Sequence, residues 1–185
     1  MTSTKSDFVH LHVHSQYSLL DAVCPIEDLA SLAKEMNMPA LAVTDNGNMF
    51  GAIEFYSACK KAGVKPIIGA EVYIAPESRF ERSTHGLQGA SYPFVLLCKD
   101  EAGYRNLIQL VSIGYLEGFY YRPRIDKEVL RKFSEGLIGL SGGLRAELPH
   151  LLNIGQTEKA HQAALQYLEI LGKDNFYIEI IHSGI

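Results

Sequence analysis

The stretch FVHLHVHSQYSLLD, from Phe8 to Asp21, contains three histidines at every second position. Its first six residues are apolar or β-branched apart from the histidines, which predicts a β-strand. Residues two apart on a strand point to the same face, so His10, His12 and His14 are expected to lie side by side. Imidazoles in this arrangement can bind one zinc or manganese ion. The competing interpretation is a strand that carries histidines on one face without a ligand.

Predicted strands and helices alternate along the rest of the chain. The predicted strands are ALAVT, KPIIGAEVYIA, YPFVLLC, GLIGLS and FYIEII. The helices between them have recognisable ends: Pro25 opens the first, Gly63 closes the second, and Asp100 and Asp126 cap the next two. This alternation predicts an α/β fold with a mostly parallel sheet. In such folds, functional side chains gather at the carboxyl ends of the strands.

Length and composition narrow the class of protein. A closed (β/α) barrel takes about 250 residues, so 185 residues that end on a predicted strand indicate one domain, 1–185, whose barrel is cut short at its C-terminus. The net charge of −4 argues against a main DNA-binding surface, which is usually basic. Three widely spaced cysteines and a polar N-terminus without a signal peptide indicate the cytoplasm.

Carboxylates near the predicted strand ends extend the possible site. Asp21 follows the first strand, Asp45 follows the second, and Glu71 lies within the third. Oxygen and nitrogen donors on several strand ends are typical of metal-assisted phosphoester hydrolysis. The alternatives are structural, because Asp21 could cap the helix that Pro25 opens and Glu71 could pair with a lysine.

Several long segments resemble a known family. HLHVHSQYSLLD is similar to the first motif of the PHP (polymerase and histidinol phosphatase) family. ALAVTDNGNMFGAIEFYSACKKAGVKPIIGAEVYIA, GYRNLIQLVSIGYLEGFYYRPRIDKEVL and EGLIGLSGGLRAELP resemble the N-terminal PHP domain of bacterial DNA polymerase III alpha subunits. The similarity runs from Phe8 to the end of the chain. It implies a PHP-type distorted (β/α)7 barrel, C-terminally truncated in this chain.

The resemblance also implies which positions bind metal. Intact members hold up to three ions, and some hydrolyse DNA 3′ ends there. Positions that keep a donor are His12, His14, Asp21 and Glu71. Positions that lose one are Asn46, Pro93 and Gly143. His10 stands where the family varies, and His85 is too far upstream to replace the donor lost at Pro93. We therefore expect a degenerate site: His12, His14 and Glu71 hold one Zn, Mn or Mg ion, or no ion at all.

The function implied is that of a replicative DNA-directed DNA polymerase, a nucleotidyltransferase. Its magnesium-dependent palm domain is not within these residues, so the segment alone is expected to be inactive and to have a structural and interaction role. The implied partners are the remaining polymerase domains, DNA and dNTPs, a separate proofreading exonuclease subunit and other replicase subunits, with no membrane. The alternative is a stand-alone, histidinol-phosphatase-like PHP phosphoesterase.

Overall fold

The computed structural model describes residues 8–82 and 91–182. The chain divides into two compact units, Met1–Glu71 and Val72–Ile185, and the single domain expected over residues 1–185 stays a prediction. The helices are α1 Ile26–Glu35, α2 Ala52–Ala62, α3 Glu101–Leu116, α4 Lys127–Lys132, α5 Glu147–Asn153 and α6 Thr157–Leu171. The strands are β1 Ala40–Val43, β2 Lys65–Ile74, β3 Tyr92–Cys98, β4 Arg124–Ile125, β5 Leu137–Leu140 and β6 Phe176–Tyr177. This alternation confirms the predicted α/β class.

The first unit is built on a parallel strand pair covered by two helices. β1 pairs with β2 in parallel, from Ala40 opposite Lys65 to Val43 opposite Ile68. α1 packs on α2, and its buried residues recur at helical spacing, as an amphipathic helix requires. The residues buried between the helices and the strands are Ile26, Ala30, Ala33, Met38, Leu41, Val43, Phe55, Cys59 and Val64. As predicted, α2 ends at Gly63, whose φ of 80° is readily adopted by glycine.

The segment before β1 differs from the predicted strand. His10 and Val13 accept backbone hydrogen bonds from Ala42 (3.0 Å) and Thr44 (2.8 Å). The segment advances three residues, from His10 to Val13, while the neighbouring chain advances two, from Ala42 to Thr44. The extra residue interrupts the regular ladder, as in a β-bulge. The prediction of a regular strand here was wrong, but the segment still runs alongside β1 and ends at the histidines.

The second unit contains one antiparallel pair that the sequence did not predict. β2 pairs with β4 in parallel, β5 pairs with β6 in parallel, and β3 pairs with β5 antiparallel. The chain returns to the sheet at the carboxyl end of β3. There the backbone N–H of Lys99 donates to the Gly136 carbonyl (2.9 Å), and Gly103 packs against Gly136. β5 therefore starts with Leu137 opposite Cys98 and runs back along β3. The predicted parallel pattern holds for β1 with β2, β2 with β4, and β5 with β6.

The capping predictions in the second unit are confirmed. Asp100 accepts from the Gly103 backbone at the start of α3 (2.9 Å), and Asp126 accepts from the Val129 backbone at the start of α4 (3.1 Å). Asp126 also accepts from the Arg79 guanidinium (3.0 Å) and backbone (2.9 Å). Burial alone would raise the pKa of Asp126, but the hydrogen bonds from Arg79 and Val129 outweigh it and hold that pKa below its usual range.

The three cysteines are free thiols in different surroundings. Cys24 is exposed. Burial raises the pKa of Cys59 to about 11, and burial together with the charge of Asp100 raises the pKa of Cys98 to about 12. Among residues 8–82 and 91–182, no helix combines the length and the apolar character needed to cross a lipid bilayer.

Candidate metal centre

His12, His14 and Glu71 converge in the first unit. The Nε2 atom of His12 lies 3.1 Å from Glu71 Oε2, and the Nε2 atom of His14 lies 3.8 Å from the same oxygen. The potential ligand atoms of the three residues lie within 4.8 Å of one another. Glu71 is buried and both histidines are half-buried. We call these three residues the triad.

Thr44 fixes the backbone between the two histidines. Its hydroxyl accepts a hydrogen bond from the Val13 N–H (3.0 Å) and donates to the Val13 carbonyl (3.2 Å). The Thr44 N–H also donates to that carbonyl (2.8 Å). Because Val13 lies directly between His12 and His14, these bonds restrain both imidazoles at the end of β1.

Asp45 organises the loop that follows His14. Its carboxylate accepts from the Ser15 N–H, the Ser15 hydroxyl and the Ser18 hydroxyl, each at 2.7 Å. Asp45 is 2% exposed, and it is not part of the triad. The interpretation of Asp45 as an oxygen ligand stays a prediction, and in the structure its oxygens hold the histidine loop against β1. The signal that could have indicated this role is the pair of serines three residues apart after His14.

Glu71 is held at the edge of the same strand pair by backbone contacts. Its N–H donates to the Asp45 carbonyl (3.1 Å), and its carbonyl accepts from the Gly47 N–H (2.7 Å). Asn46 and Glu71 form a parallel bridge between these contacts. The pairing of β1 with β2 thus continues past Val43 and brings Glu71 to the histidines.

Asp21 contacts Asn46 and does not join the triad. The Asn46 Nδ2 donates to Asp21 Oδ2 (2.8 Å), and the Asn46 N–H donates to the Ser18 hydroxyl (3.0 Å). Asp21 itself is exposed. The residue preceding α1 is Pro25, and the Ile26 N–H binds the side chain of Gln16 at 3.0 Å. Asp21 therefore contacts Asn46 directly, and its negative charge also acts on His14.

Two buried polar atoms at this place are unsatisfied. In the part of the chain that the structure describes, His14 Nε2 and Asn46 Oδ1 are shielded from solvent and have no hydrogen-bond partner. Burial lowers the pKa of His14 and outweighs the opposing effect of Glu71, so the imidazole is neutral at pH 7 and offers a lone pair. Two nitrogens and a carboxylate are donors that a divalent Zn or Mn ion accepts. The residues present fit such an ion, and its binding stays a prediction.

The other predicted positions are not members of the triad. His10 is exposed and packs edge-on against Phe8, with ring centroids 4.9 Å apart. Pro93 and Gly143 belong to the second unit, where Pro93 is buried in β3 and Gly143 is half-buried. His85 lies outside the described residues.

Comparisons with known proteins identify the family. The family described as "PHP domain" matches residues 10–183. The chain is 51% identical over 183 residues to the DNA polymerase III subunit alpha of Borreliella burgdorferi, covering 99% of this chain and 16% of that protein. It is 49% identical over 185 residues to the DNA polymerase III subunit alpha of Thermus aquaticus, covering 98% of this chain and 15% of that protein.

The comparison with solved structures is weaker. An amidohydrolase from Chromobacterium violaceum superposes with a TM-score of 0.48 and 14% identity, covering 92% of this chain and 84% of that one. The chain spans about a sixth of the length of the curated relatives it matches. The family match extends over nearly all of the described residues and confirms the family that the sequence motifs indicated. The chain therefore belongs to the PHP domain family.

Proposed function

We propose that this chain is the N-terminal PHP domain of a DNA polymerase III alpha subunit. The observation that carries this proposal is the identity of 51% and 49% to two such subunits, over 99% and 98% of the chain. The whole protein extends DNA 3′ ends from dNTPs in the cytoplasm, with magnesium held by carboxylates of a palm domain outside these residues. Its partners are DNA and the other replicase subunits.

Within that protein, the triad holds a single divalent ion, Zn, Mn or Mg. When bound, such an ion polarises a phosphoryl oxygen and activates water. The chain lacks side-chain donors at Pro93 and Gly143. At a third position, where intact members of the family have a histidine, it has Asn46. A cluster of several ions shares ligands among them and needs nearly all of these donors. The domain therefore has a structural and interaction role, and proofreading comes from a separate exonuclease subunit.

Primer extension by the full-length gene product tests the proposal. We expect the purified protein to extend a primed DNA template with dNTPs and Mg²⁺. His12→Ala should leave the extension rate within about twofold, because polymerisation takes place in another domain. The matched control is His10→Ala, which removes an exposed imidazole. A full-length protein that hydrolyses p-nitrophenyl phosphate in a His12-dependent manner and extends no primer would instead be a stand-alone PHP phosphoesterase, and the proposal would be wrong.

A further inference from the structure

The Asn46 side chain is oriented by its own hydrogen bond. Its Nδ2 donates to Asp21 Oδ2 at 2.8 Å, so the opposite end of the amide, Oδ1, points away from that carboxylate. This oxygen is shielded from solvent and lacks a partner among residues 8–82 and 91–182. A buried carbonyl oxygen without a partner destabilises the folded protein. An ion bound to this oxygen would remove that destabilisation.

Asn46 is paired with a member of the triad. Asn46 and Glu71 are directly paired across a parallel bridge. Paired residues on neighbouring strands lie about 5 Å apart and project to the same face of the sheet. Glu71 Oε2 is in turn 3.1 Å from His12 and 3.8 Å from His14. The second unsatisfied buried atom, His14 Nε2, belongs to this same group. Both unsatisfied atoms therefore belong to residues that neighbour Glu71.

The bond to Asp21 makes Asn46 a stronger donor than a free amide. Donation from Nδ2 to a carboxylate shifts electron density toward Oδ1. Carboxylates act on metal-bound histidines in the same way, by accepting a hydrogen bond from the far ring N–H and raising the basicity of the ligating nitrogen. The same polarisation applies to Asn46, whose Nδ2 donates to the Asp21 carboxylate.

We propose that Asn46 Oδ1 is the fourth protein donor to the ion held by His12, His14 and Glu71, and that Asp21 is the positioning residue that orients and polarises this amide. The inference rests on the single-ion site proposed above. Position 46, where the imidazole is lost, then still supplies an oxygen ligand. An amide oxygen in place of an imidazole gives a site of two nitrogens and two oxygens, and the added oxygen favours Mn²⁺ relative to Zn²⁺.

The test is a Mn²⁺ titration of the full-length protein, in which the electron paramagnetic resonance signal reports the free ion. Ions bound elsewhere in the protein are subtracted with the His12→Ala variant, so the difference counts this site alone. The first variant is Asn46→Leu, which keeps the size of the side chain and removes the oxygen. The second is the double exchange Asn46→Asp with Asp21→Asn, which conserves the charge and the hydrogen bond and retains an oxygen at the ligand position.

The expected result is a loss of Mn²⁺ affinity of at least about tenfold in Asn46→Leu, the scale on which even outer contacts of metal sites act. The double exchange should bind Mn²⁺ at least as tightly as the unaltered protein. Asp21→Asn alone should weaken binding about tenfold, while Asp28→Asn, an exposed carboxylate on α1, should leave it unchanged.

Two results would overturn the inference about Asn46. One is an Asn46→Leu variant that binds Mn²⁺ within twofold of the unaltered protein, and the other is a double exchange as weak as Asn46→Leu. Absence of any His12-dependent ion in the unaltered protein would also overturn it. That outcome would leave the proposed polymerase identity intact, because primer extension tests that identity independently.

Discussion

Replacing Asp45 by asparagine tests how the histidine loop is held. The Asp45 carboxylate accepts three hydrogen bonds of 2.7 Å, two from Ser15 and one from Ser18. The residue is 2% exposed, so water cannot replace these partners. Asparagine keeps the shape and one acceptor oxygen but loses the charge. Asp45→Asn therefore separates the charge of this contact from its packing.

The size of the effect follows from the hydrogen bonds. A hydrogen bond to a charged group contributes about 1.5–3 kcal/mol and a neutral one about 0.5–1.5 kcal/mol. The loss is about 1 kcal/mol per bond, and the hydroxyls recover part of it by rotating to accept from the new amide. We expect the loop to open about 2 kcal/mol more easily. That difference corresponds to roughly 30-fold faster exchange of the loop amides.

Hydrogen–deuterium exchange of the full-length protein measures this opening directly, because the Ser15 amide itself donates to Asp45. The peptide that contains Ser15 should exchange roughly 30-fold faster in Asp45→Asn, while peptides from α3 should be unchanged. Asp28→Asn, an exposed acid-to-amide change on α1, is the matched control. Exchange of the Ser15 peptide within twofold of the unaltered protein would refute the role assigned to Asp45.

Three further predictions concern other parts of the fold. Gly103→Ala should destabilise the protein by about 1–3 kcal/mol, because a Cβ there collides with the Gly136 carbonyl; an unchanged melting temperature would contradict this. Asp126→Asn should cost about 2 kcal/mol at pH 7, since Arg79 loses one charged partner and keeps Glu117. The depressed pKa of Asp126 means that its contribution is present above about pH 4 and is lost as the pH falls through the folded-state pKa, so the difference in melting temperature between parent and variant should shrink steadily below about pH 4; a constant difference would contradict the assignment. Iodoacetamide at pH 8 should alkylate Cys24 much faster than the two thiols whose pKa values burial raises; equal rates by mass spectrometry would contradict their burial.

The sequence predicted those parts of the fold that depend on local chemistry. Gly63 ends α2 because its left-handed backbone conformation is unfavourable for other residues, and Asp100 and Asp126 cap their helices through bonds that span three residues. The spacing of His12 and His14 predicted that their side chains lie together, and they do, although the regular strand from which this was argued does not form and His10 does not join them. Such features can be read from neighbouring residues alone.

Features that depend on distant partners could not be predicted. Asp45 could be interpreted as a metal ligand because nothing in its vicinity shows that Ser15 and Ser18, some 30 positions earlier, occupy its oxygens. The antiparallel pairing of β3 with β5 depends on the close approach of Gly103 to Gly136, which no periodic pattern encodes. Asn46 presented the same difficulty. Its residue type indicated a lost ligand, whereas its bond to Asp21 leaves an oxygen available.

Counting the ions bound to the full-length protein shows whether the PHP site holds a single ion. Metal analysis by plasma mass spectrometry, after dialysis against Mn²⁺ or Zn²⁺, should find one more ion in the unaltered protein than in His12→Ala. His10→Ala, which removes an imidazole outside the triad, should match the unaltered protein. We expect one His12-dependent ion per protein molecule. Two or more such ions, or none, would contradict a single-ion PHP site.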